Sequence, residues 1–292
     1  MNGIIYCISD SIKGGRTYFD QAVLSAKSAK RLHPDLKIAI FRDEPYLNDS
    51  VFDFHLPVFK NSDERDWTLH YMNEWSPTKR ITNLKVLCST RSPFEKTLHL
   101  DADTYVIQAI YEIFDMLDDF DIMFTNEDLP KLNDGGRNIG SRILTIPDGV
   151  NSGVYAFSNT PAAKRILGKQ WIEAIEELEI GEQTVLTKFV RDPQKYLYDA
   201  KWKMLDNIIY NAQRRMWRSM KKYGLWEEAK ILHFASPVNF NKLYEGKISL
   251  NDLFELDEVK ECDPAYLIEK PREPNKQQTG HRKGNSMRGA SD

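Results

Sequence analysis

The sequence has few cysteines and no long apolar run. Only Cys7, Cys88 and Cys262 occur in 292 residues, and their separations match neither a zinc site nor a disulfide framework. A reducing, cytoplasmic setting is therefore expected. No stretch is long enough to cross a lipid bilayer, and Met1 leads directly into a strand-like segment rather than a basic and then apolar leader. We therefore expect neither a membrane span nor secretion.

Basic and acidic residues are nearly balanced, with 40 Lys and Arg against 43 Asp and Glu. The formal net charge is -3, which gives no overall attraction to nucleic acid, and no nucleic-acid partner is expected. With 41% hydrophobic and 28% charged residues, the composition is typical of a soluble globular protein with a sizeable core. Residues 269–292 are rich in Pro, Gly, Lys and Arg without apolar periodicity, which predicts a disordered tail.

Strand and helix patterns alternate along the first half of the chain. Apolar runs predict strands at 4–8, 37–41, 97–100 and 121–125, and helical spacing predicts helices at 19–32, 78–89 and 109–117. This alternation predicts an α/β fold with a mainly parallel central sheet flanked by helices. Ligands bind such sheets at the carboxyl ends of the strands, where Asp10, Asp43, Asp101 and Asp103 are expected.

The second half continues the pattern less regularly. A strand is predicted at 154–157, a long helix at 161–179, a further helix opening at 181–183, and a last strand at 231–234.

The predicted strand 97–100 runs into Asp101-Ala102-Asp103. Alternate side chains of extended backbone share a face, so both carboxylates can reach one hard cation where the chain leaves the sheet. Mg²⁺ or Mn²⁺ bound in this way commonly takes substrate phosphates as further ligands. A single pair of this kind is a weak signal, because polar residues also end strands that bind no metal.

Three further motifs follow this one in the chain: Asn151-Ser152-Gly153-Val154, Glu182-Gln183 and His233-Phe234. Together with residues 92–104, they resemble the nucleotide-sugar glycosyltransferases of the GT-A fold. They are most similar to the family-eight-like group that contains glycogenin and bacterial lipopolysaccharide galactosyltransferases. The resemblance spans about residues 4–237, and the order of the motifs is more specific than any one of them.

The resemblance implies a Rossmann-like catalytic domain over residues 1–268. Its nucleotide-binding part would reach to about 125, and its sugar and acceptor part would occupy 126–268. The implied reaction is a metal-dependent, retaining hexosyl transfer from a nucleotide-diphosphate sugar, with a UDP-sugar favoured. The acceptor, whether a glycan, a protein or a small molecule, is not identified.

The resemblance also implies the site residues. Mn²⁺ or Mg²⁺ would be bound by Asp101, Asp103 and His233, and would bridge the two phosphates. Gln183 would lie near the anomeric carbon and Glu182 would bind a sugar hydroxyl, with Asp103 completing the catalytic set. Glu182 stands where the family usually has Asp, which leaves the preferred sugar open. The expected donor-binding residues are Ile8, Ser9, Asp10, Lys85, Asp101, Ala102, Asp103, Asn151 and Ser152.

Several of these residues have a simpler interpretation. Lys85 is preferred over Arg80 as the cation near the phosphates, and the alternative for Lys85 is a solvated helix lysine. Asn151 is alternatively a turn residue, and His233 a histidine packed in the core. His99 is assigned to packing within the sheet and is left out of the site.

Two other functions remain open. A strand followed by D-x-D is also typical of haloacid-dehalogenase-like phosphatases, in which Asp101 would be the nucleophile. Thr104 stands three residues after Asp101, however, rather than the four of that motif. A non-catalytic protein that binds a nucleotide sugar is the third class.

An inverting transferase would need a carboxylate base near the acceptor, for which Glu127 or Asp128 are the candidates.

Overall fold

The fold is known from a computed structural model that describes residues 1–9, 15–43, 48–60, 84–127, 149–178 and 181–234. Asp10, Arg80, Asp128 and the predicted tail 269–292 lie outside these residues.

Ten strands form two sheets in the described part of the chain. They are β1 (Asn2–Ile8), β2 (Lys37–Arg42), β3 (Phe54–Pro57), β4 (Lys96–Leu100), β5 (Thr104–Val106), β6 (Ile122–Asn126), β7 (Val150–Ser158), β8 (Trp202–Leu205), β9 (Ala212–Gln213) and β10 (Ile231–His233). The larger sheet has the order β3-β2-β1-β4-β7-β6-β8, and only β7 runs antiparallel to its neighbours. In the smaller sheet, β10 lies between β5 and β9.

Helices connect and cover these strands. They are α1 (Gly15–Leu32), α2 (84–89), α3 (Tyr111–Met116), α4 (Pro161–Lys164), α5 (Trp171–Leu178), α6 (Glu182–Arg191), α7 (Pro193–Tyr196), α8 (Asn207–Tyr210) and α9 (Trp217–Lys222). A π-helical segment, Arg165–Gln170, joins α4 to α5, and 3₁₀ turns occur at Arg214–Met216 and Trp226–Glu228. Among the described helices, none is both long and apolar enough to cross a membrane.

Both faces of the large sheet are buried. In β1, Ile5 and Cys7 pack in one apolar cluster with α2 and the helices of residues 161–191, whereas Ile4, Tyr6 and Ile8 pack in a second cluster with α1. Burial on both faces explains why β1 is a continuous apolar run rather than an alternating one. The predicted α/β fold with a mainly parallel sheet is confirmed.

The structure departs from the sequence prediction in three places. Strand β7 begins at Val150 rather than 154, so the N-S-G segment lies in a strand and not in a loop before it. The helix predicted at 161–179 contains a π-helical stretch, and β3, β5, β8 and β9 were not predicted.

Cys7 and Cys88, which are far apart in the sequence, lie with their sulfur atoms 3.0 Å apart as buried free thiols.

Candidate metal and donor site

A tight turn joins β4 to β5 and contains the two aspartates. The backbone N–H of Asp101 donates to the carbonyl of Gly153 on β7 at 2.8 Å. The carbonyl of Asp101 accepts from the Thr104 backbone N–H at 3.2 Å and from the Thr104 hydroxyl at 2.8 Å. These bonds hold Asp101 and Asp103 at the carboxyl end of a central strand.

Strand pairing brings a histidine to the same place. Strand β10 lies antiparallel to β5 with His233 opposite Thr104, and His233 Nε2 lies 3.3 Å from Asp103 Oδ1. One ligand atom from each of Asp101, Asp103 and His233 lies within 4.8 Å of the others. Two carboxylates and one imidazole fit a divalent cation, and the imidazole favours Mn²⁺ over Mg²⁺, which prefers oxygen ligands.

An irregularity in β7 directs its N-S-G segment toward this cluster. The pairing of β6 with β7 shifts between Phe124 and Thr125, so that β7 carries extra residues at this point. Bulges of this kind re-aim side chains and are common beside active sites. A Cβ on Gly153 would lie 2.5 Å from His233 Cε1 and 2.9 Å from Asp101 Oδ2, so the cluster packs against a backbone that requires glycine.

Lys85 on α2 is part of the cluster. Its ammonium lies 2.7 Å from Asp101 Oδ1, 2.9 Å from Asp101 Oδ2 and 3.8 Å from Glu182 Oε1. The Ser152 hydroxyl lies 3.5 Å from the same nitrogen. Lys85 is only 5% exposed, so its interpretation as a solvated helix lysine is wrong.

These contacts set the charges of the site. Burial lowers the pKa of Lys85, but the charges of Asp101 and Glu182 outweigh burial, and the pKa is raised. Burial raises the pKa of Asp101, yet the Lys85 ammonium and the hydrogen bond of His99 hold it well below its usual range. Lys85 is therefore a cation and Asp101 an anion at neutral pH. Burial raises the pKa of Glu182 more than Lys85 and Ser152 lower it.

Helix α6 begins at the edge of this cluster. The carboxylate of Glu182 accepts from the Ser152 hydroxyl at 2.8 Å, and the Gln183 side-chain oxygen accepts from the Ser152 backbone N–H at 3.3 Å. Glu182 is buried, and Gln183 is partly exposed. The structure thus brings Glu182, Gln183 and Ser152 together beside Lys85, although the roles predicted for them remain predictions.

Asn151 links the cluster to a second carboxylate. Its side-chain oxygen accepts from the Gly153 N–H at 2.9 Å, and its side-chain nitrogen donates to Glu127. Glu127 also accepts from Gln213 at 3.2 Å and pairs with Arg215 at 3.1 Å. Asn151 lies within strand β7 rather than in a turn before it, so its interpretation as a turn residue is wrong.

The end of β1 lies at the same edge of the sheet. Ile8 and Ser9 are buried there, and the Ser9 hydroxyl donates to Asp43 at 2.5 Å. Ala102, in the turn after β4, is partly exposed. Asp10, the third residue predicted to bind the nucleotide at this strand end, lies outside the described residues.

The solved structures with a similar fold include several glycosyltransferases. The galactosyltransferase LgtC, in complex with donor and acceptor sugar analogs, superposes with a TM-score of 0.52 at 14% identity over 90% of this chain and 100% of LgtC. The chain has the GT-A fold. At this level of identity the similarity establishes the fold, and the sequence itself matches no protein-family profile and no curated protein.

Two other glycosyltransferases have a similar fold at a similarly low sequence identity. GlyE of Streptococcus pneumoniae TIGR4 has a TM-score of 0.52 at 14% identity, over 89% of this chain and 64% of GlyE. The apo form of mouse xyloside xylosyltransferase 1 has a TM-score of 0.50 at 17% identity, over 80% of this chain and 98% of that protein.

Within this GT-A fold, three residues contact the site that sequence analysis did not place there. His99, which was assigned to sheet packing, stacks on Tyr155 and has Nε2 3.4 Å from Asp101 Oδ1. Gln213 contacts Glu127, and Asn211 contacts His233. His99 could have been placed at the site from its sequence position, two residues before Asp101 in the same predicted strand. Asn211 and Gln213 belong to no sequence motif. Their contacts with the site depend on the pairing of short strands, which the sequence does not reveal.

Proposed function

We propose that the protein is a metal-dependent glycosyltransferase that moves a sugar from a nucleotide-diphosphate donor, with a UDP-sugar favoured, to a glycan, protein or small-molecule acceptor. The observation that carries the proposal is the cluster of Asp101, Asp103 and His233 at the carboxyl edge of a GT-A sheet. The similar fold of LgtC, which was solved with donor and acceptor sugar analogs, supports this assignment.

In this proposal Asp101, Asp103 and His233 bind Mn²⁺ or Mg²⁺. When bound, the cation supplies a Lewis acid at the diphosphate, whose negative charge grows as the bond to the sugar breaks. Lys85 keeps Asp101 ionised and fixes its orientation, since both carboxylate oxygens lie within 2.9 Å of the ammonium. We infer that Lys85 acts mainly through Asp101, because little of its side chain is exposed to a ligand.

Donor recognition is proposed for the ends of β1, β4 and β7. Ile8, Ser9 and Asp10 would contact the base or ribose, and Ala102, Asn151 and Ser152 would line the phosphates and the sugar. Backbone amides together with hydroxyl and carboxamide side chains provide the donors and acceptors that such a ligand requires.

Sugar transfer is proposed at the start of α6. Gln183 would lie near the anomeric carbon, and Glu182 would accept a hydrogen bond from a sugar hydroxyl. We propose retention of configuration. Glu127 is the candidate for an inverting base that the structure describes, and it is already engaged by Asn151, Gln213 and Arg215.

A cytoplasmic location is also proposed, because the sequence contains few cysteines.

The metal assignment predicts that donor binding depends on Asp103. Asp103→Ala should reduce the affinity for UDP in the presence of Mn²⁺ by at least about tenfold, because one of three protein ligands is lost. Isothermal titration calorimetry of UDP with and without Mn²⁺ measures this effect, and circular dichroism checks the fold.

Asp118→Ala is the matched control. Asp118 is an exposed aspartate that pairs with Lys96 at the opposite end of β4, 2.7 Å from its ammonium, and its removal should leave UDP binding unchanged. If Asp103→Ala binds UDP and Mn²⁺ as the wild type does, the proposed metal site is wrong.

A further inference from the structure

Asn211 lies completely buried between His233 and Thr125. Its side-chain oxygen is 2.8 Å from His233 Nδ1, and its side-chain nitrogen is 3.1 Å from the Thr125 hydroxyl oxygen. The Thr125 hydroxyl, also fully buried, reaches the carbonyl of Val154 at 2.7 Å and that of Asn151 at 3.3 Å. These contacts form a hydrogen-bond chain from β7 through β6 to the histidine on β10.

The direction of this chain is fixed by its far end. A carbonyl oxygen only accepts, so the single hydroxyl hydrogen of Thr125 is used on β7. Thr125 must then accept from Asn211, which places the Asn211 NH₂ group toward Thr125 and its oxygen toward His233. That oxygen also only accepts, so His233 Nδ1 carries a hydrogen.

The tautomer of His233 decides its use as a ligand. In a neutral imidazole with hydrogen on Nδ1, the lone pair is on Nε2, which lies 3.3 Å from Asp103 Oδ1 within the proposed metal cluster. The opposite tautomer would place a hydrogen where the cation must sit. Partners that orient a metal-binding histidine in this way tune both its geometry and its basicity.

We propose that Asn211, held by Thr125, is a positioning residue that fixes His233 as the Nδ1–H tautomer with Nε2 available to a divalent cation. The inference rests on the metal site of the proposed function. It adds to that site two residues, on β6 and just before β9, that are far from one another and from His233 in the sequence.

The chain offers a graded set of variants to test this. Thr125→Val keeps the shape of the side chain but removes the hydroxyl. The Asn211 side-chain amide can then flip and exchange the positions of its oxygen and nitrogen. Thr125→Ser retains the hydroxyl and should restore the wild-type behaviour. Asn211→Leu removes the acceptor from His233 altogether, and provides a second route if Thr125→Val fails to fold.

Two measurements are needed on each variant. The ¹⁵N chemical shifts of the His233 ring, recorded without metal at a pH above its pKa, distinguish the two neutral tautomers. Titration with Mn²⁺ alone, followed by electron paramagnetic resonance, gives the metal affinity. Wild type and Thr125→Ser should show one Nδ1–H tautomer, whereas Thr125→Val and Asn211→Leu should show the other tautomer or a mixture. Their Mn²⁺ affinity should be lower by about 10- to 100-fold.

The outcomes separate this inference from the proposed function. A single Nδ1–H tautomer and wild-type Mn²⁺ affinity in both Thr125→Val and Asn211→Leu would overturn the role of Asn211 while leaving the metal site intact. If the wild type binds no Mn²⁺, the metal site of the proposed function fails, and the inference fails with it.

Discussion

At the scale of single residues, Gly153 lies against the proposed ligands with no room for a side chain. A Cβ there would meet His233 Cε1 at 2.5 Å and both Asp101 Oδ2 and Asn151 Oδ1 at 2.9 Å. Gly153→Ala should therefore displace one of the proposed metal ligands and weaken Mn²⁺ binding by about tenfold or more. Overpacking should also cost about 1–3 kcal/mol of the free energy of unfolding. Mn²⁺ titration and urea unfolding measure the two effects.

Gly181→Ala serves as the control for this substitution. Gly181 precedes α6, its φ is -65°, and a Cβ there would have no atom within 4 Å. We expect Mn²⁺ affinity to stay at the wild-type value. Equal Mn²⁺ affinity in Gly153→Ala and the wild type would contradict the proposed ligand cluster.

The Lys85 ammonium balances the negative charges of two carboxylates, those of Asp101 and Glu182, in a largely buried part of the site. Lys85→Met should lower the free energy of unfolding by about 3 kcal/mol in EDTA, because Asp101 and Glu182 lose their counter-charge. Removing one of these two negative charges should reduce the electrostatic repulsion. The double variant Lys85→Met/Glu182→Gln should therefore recover about 1 kcal/mol or more of the free energy of unfolding. Urea unfolding at neutral pH gives both values.

The matched control is Lys169→Met. Lys169 is largely exposed and pairs with Glu173 at 3.6 Å on the helical surface, so its loss should change stability by about 0.5 kcal/mol or less. If Lys85→Met is as stable as this control, Lys85 does not carry the electrostatic role assigned to it.

At the scale of helices and strands, predictability followed length. β1, β2, β4 and β6 were predicted because each is a run of apolar residues, and α1 because its apolar residues recur on one face. β5, β9 and β10 have two or three residues each, which is too short for a period to show. β10 was still predicted, as a strand at 231–234, but its pairing with β5 was not.

That pairing is what assembles the site. His233 was assigned to the metal through a resemblance and not from its own neighbours, because only the β5–β10 register places it next to Asp103. Asn211 was missed for the same reason. Contacts between distant short strands are set by tertiary packing and leave little trace in local sequence.

The start of α3 provides a pH prediction at this scale. His33 Nε2 accepts the backbone N–H of Ile110 at 3.0 Å, and its ring meets Tyr111 edge to face at 4.2 Å. Burial lowers the pKa of His33 more than the charge of Glu112 raises it, so the folded protein takes up this proton less readily than the unfolded chain. Its contribution to stability is therefore full above the ordinary histidine pKa of about 6.5 and is lost as pH falls toward the lowered value.

His33→Gln tests this contribution, because glutamine still accepts from Ile110 but does not titrate. The free energy of unfolding should fall less steeply in the variant than in the wild type between about pH 7 and pH 5.5. The difference in slope should not exceed about 1.4 kcal/mol per pH unit, the value for one proton. Identical slopes would show that His33 is not buried as a neutral acceptor.

At the scale of the whole molecule, alternation of strands and helices was enough to predict a mainly parallel sheet with its ligand edge at the strand ends. Asp101, Asp103 and Ser9 all lie at that edge. The antiparallel insertion of β7 between β4 and β6 was not predicted, because strand direction depends on where the chain returns to the sheet.

This insertion places the two predicted parts of the proposed catalytic domain in one sheet. β4 and β6 belong to residues 1–125 or close to them, whereas β7 and β8 come from 126–268, and all four share one sheet. The single domain over residues 1–268 and the tail 269–292 stay predictions, since part of each lies outside the described residues.

The most direct test of the central claim is release of nucleoside diphosphate from a panel of nucleotide sugars in Mn²⁺, with and without candidate acceptors. Wild-type protein should release UDP from at least one UDP-sugar, EDTA should abolish the release, and Asp118→Ala should retain it while Asp103→Ala loses it. Binding of UDP without release from any donor would contradict catalysis and favour a nucleotide-sugar-binding protein. Release of phosphate from simple phosphomonoesters, with no release of UDP, would instead favour the phosphatase.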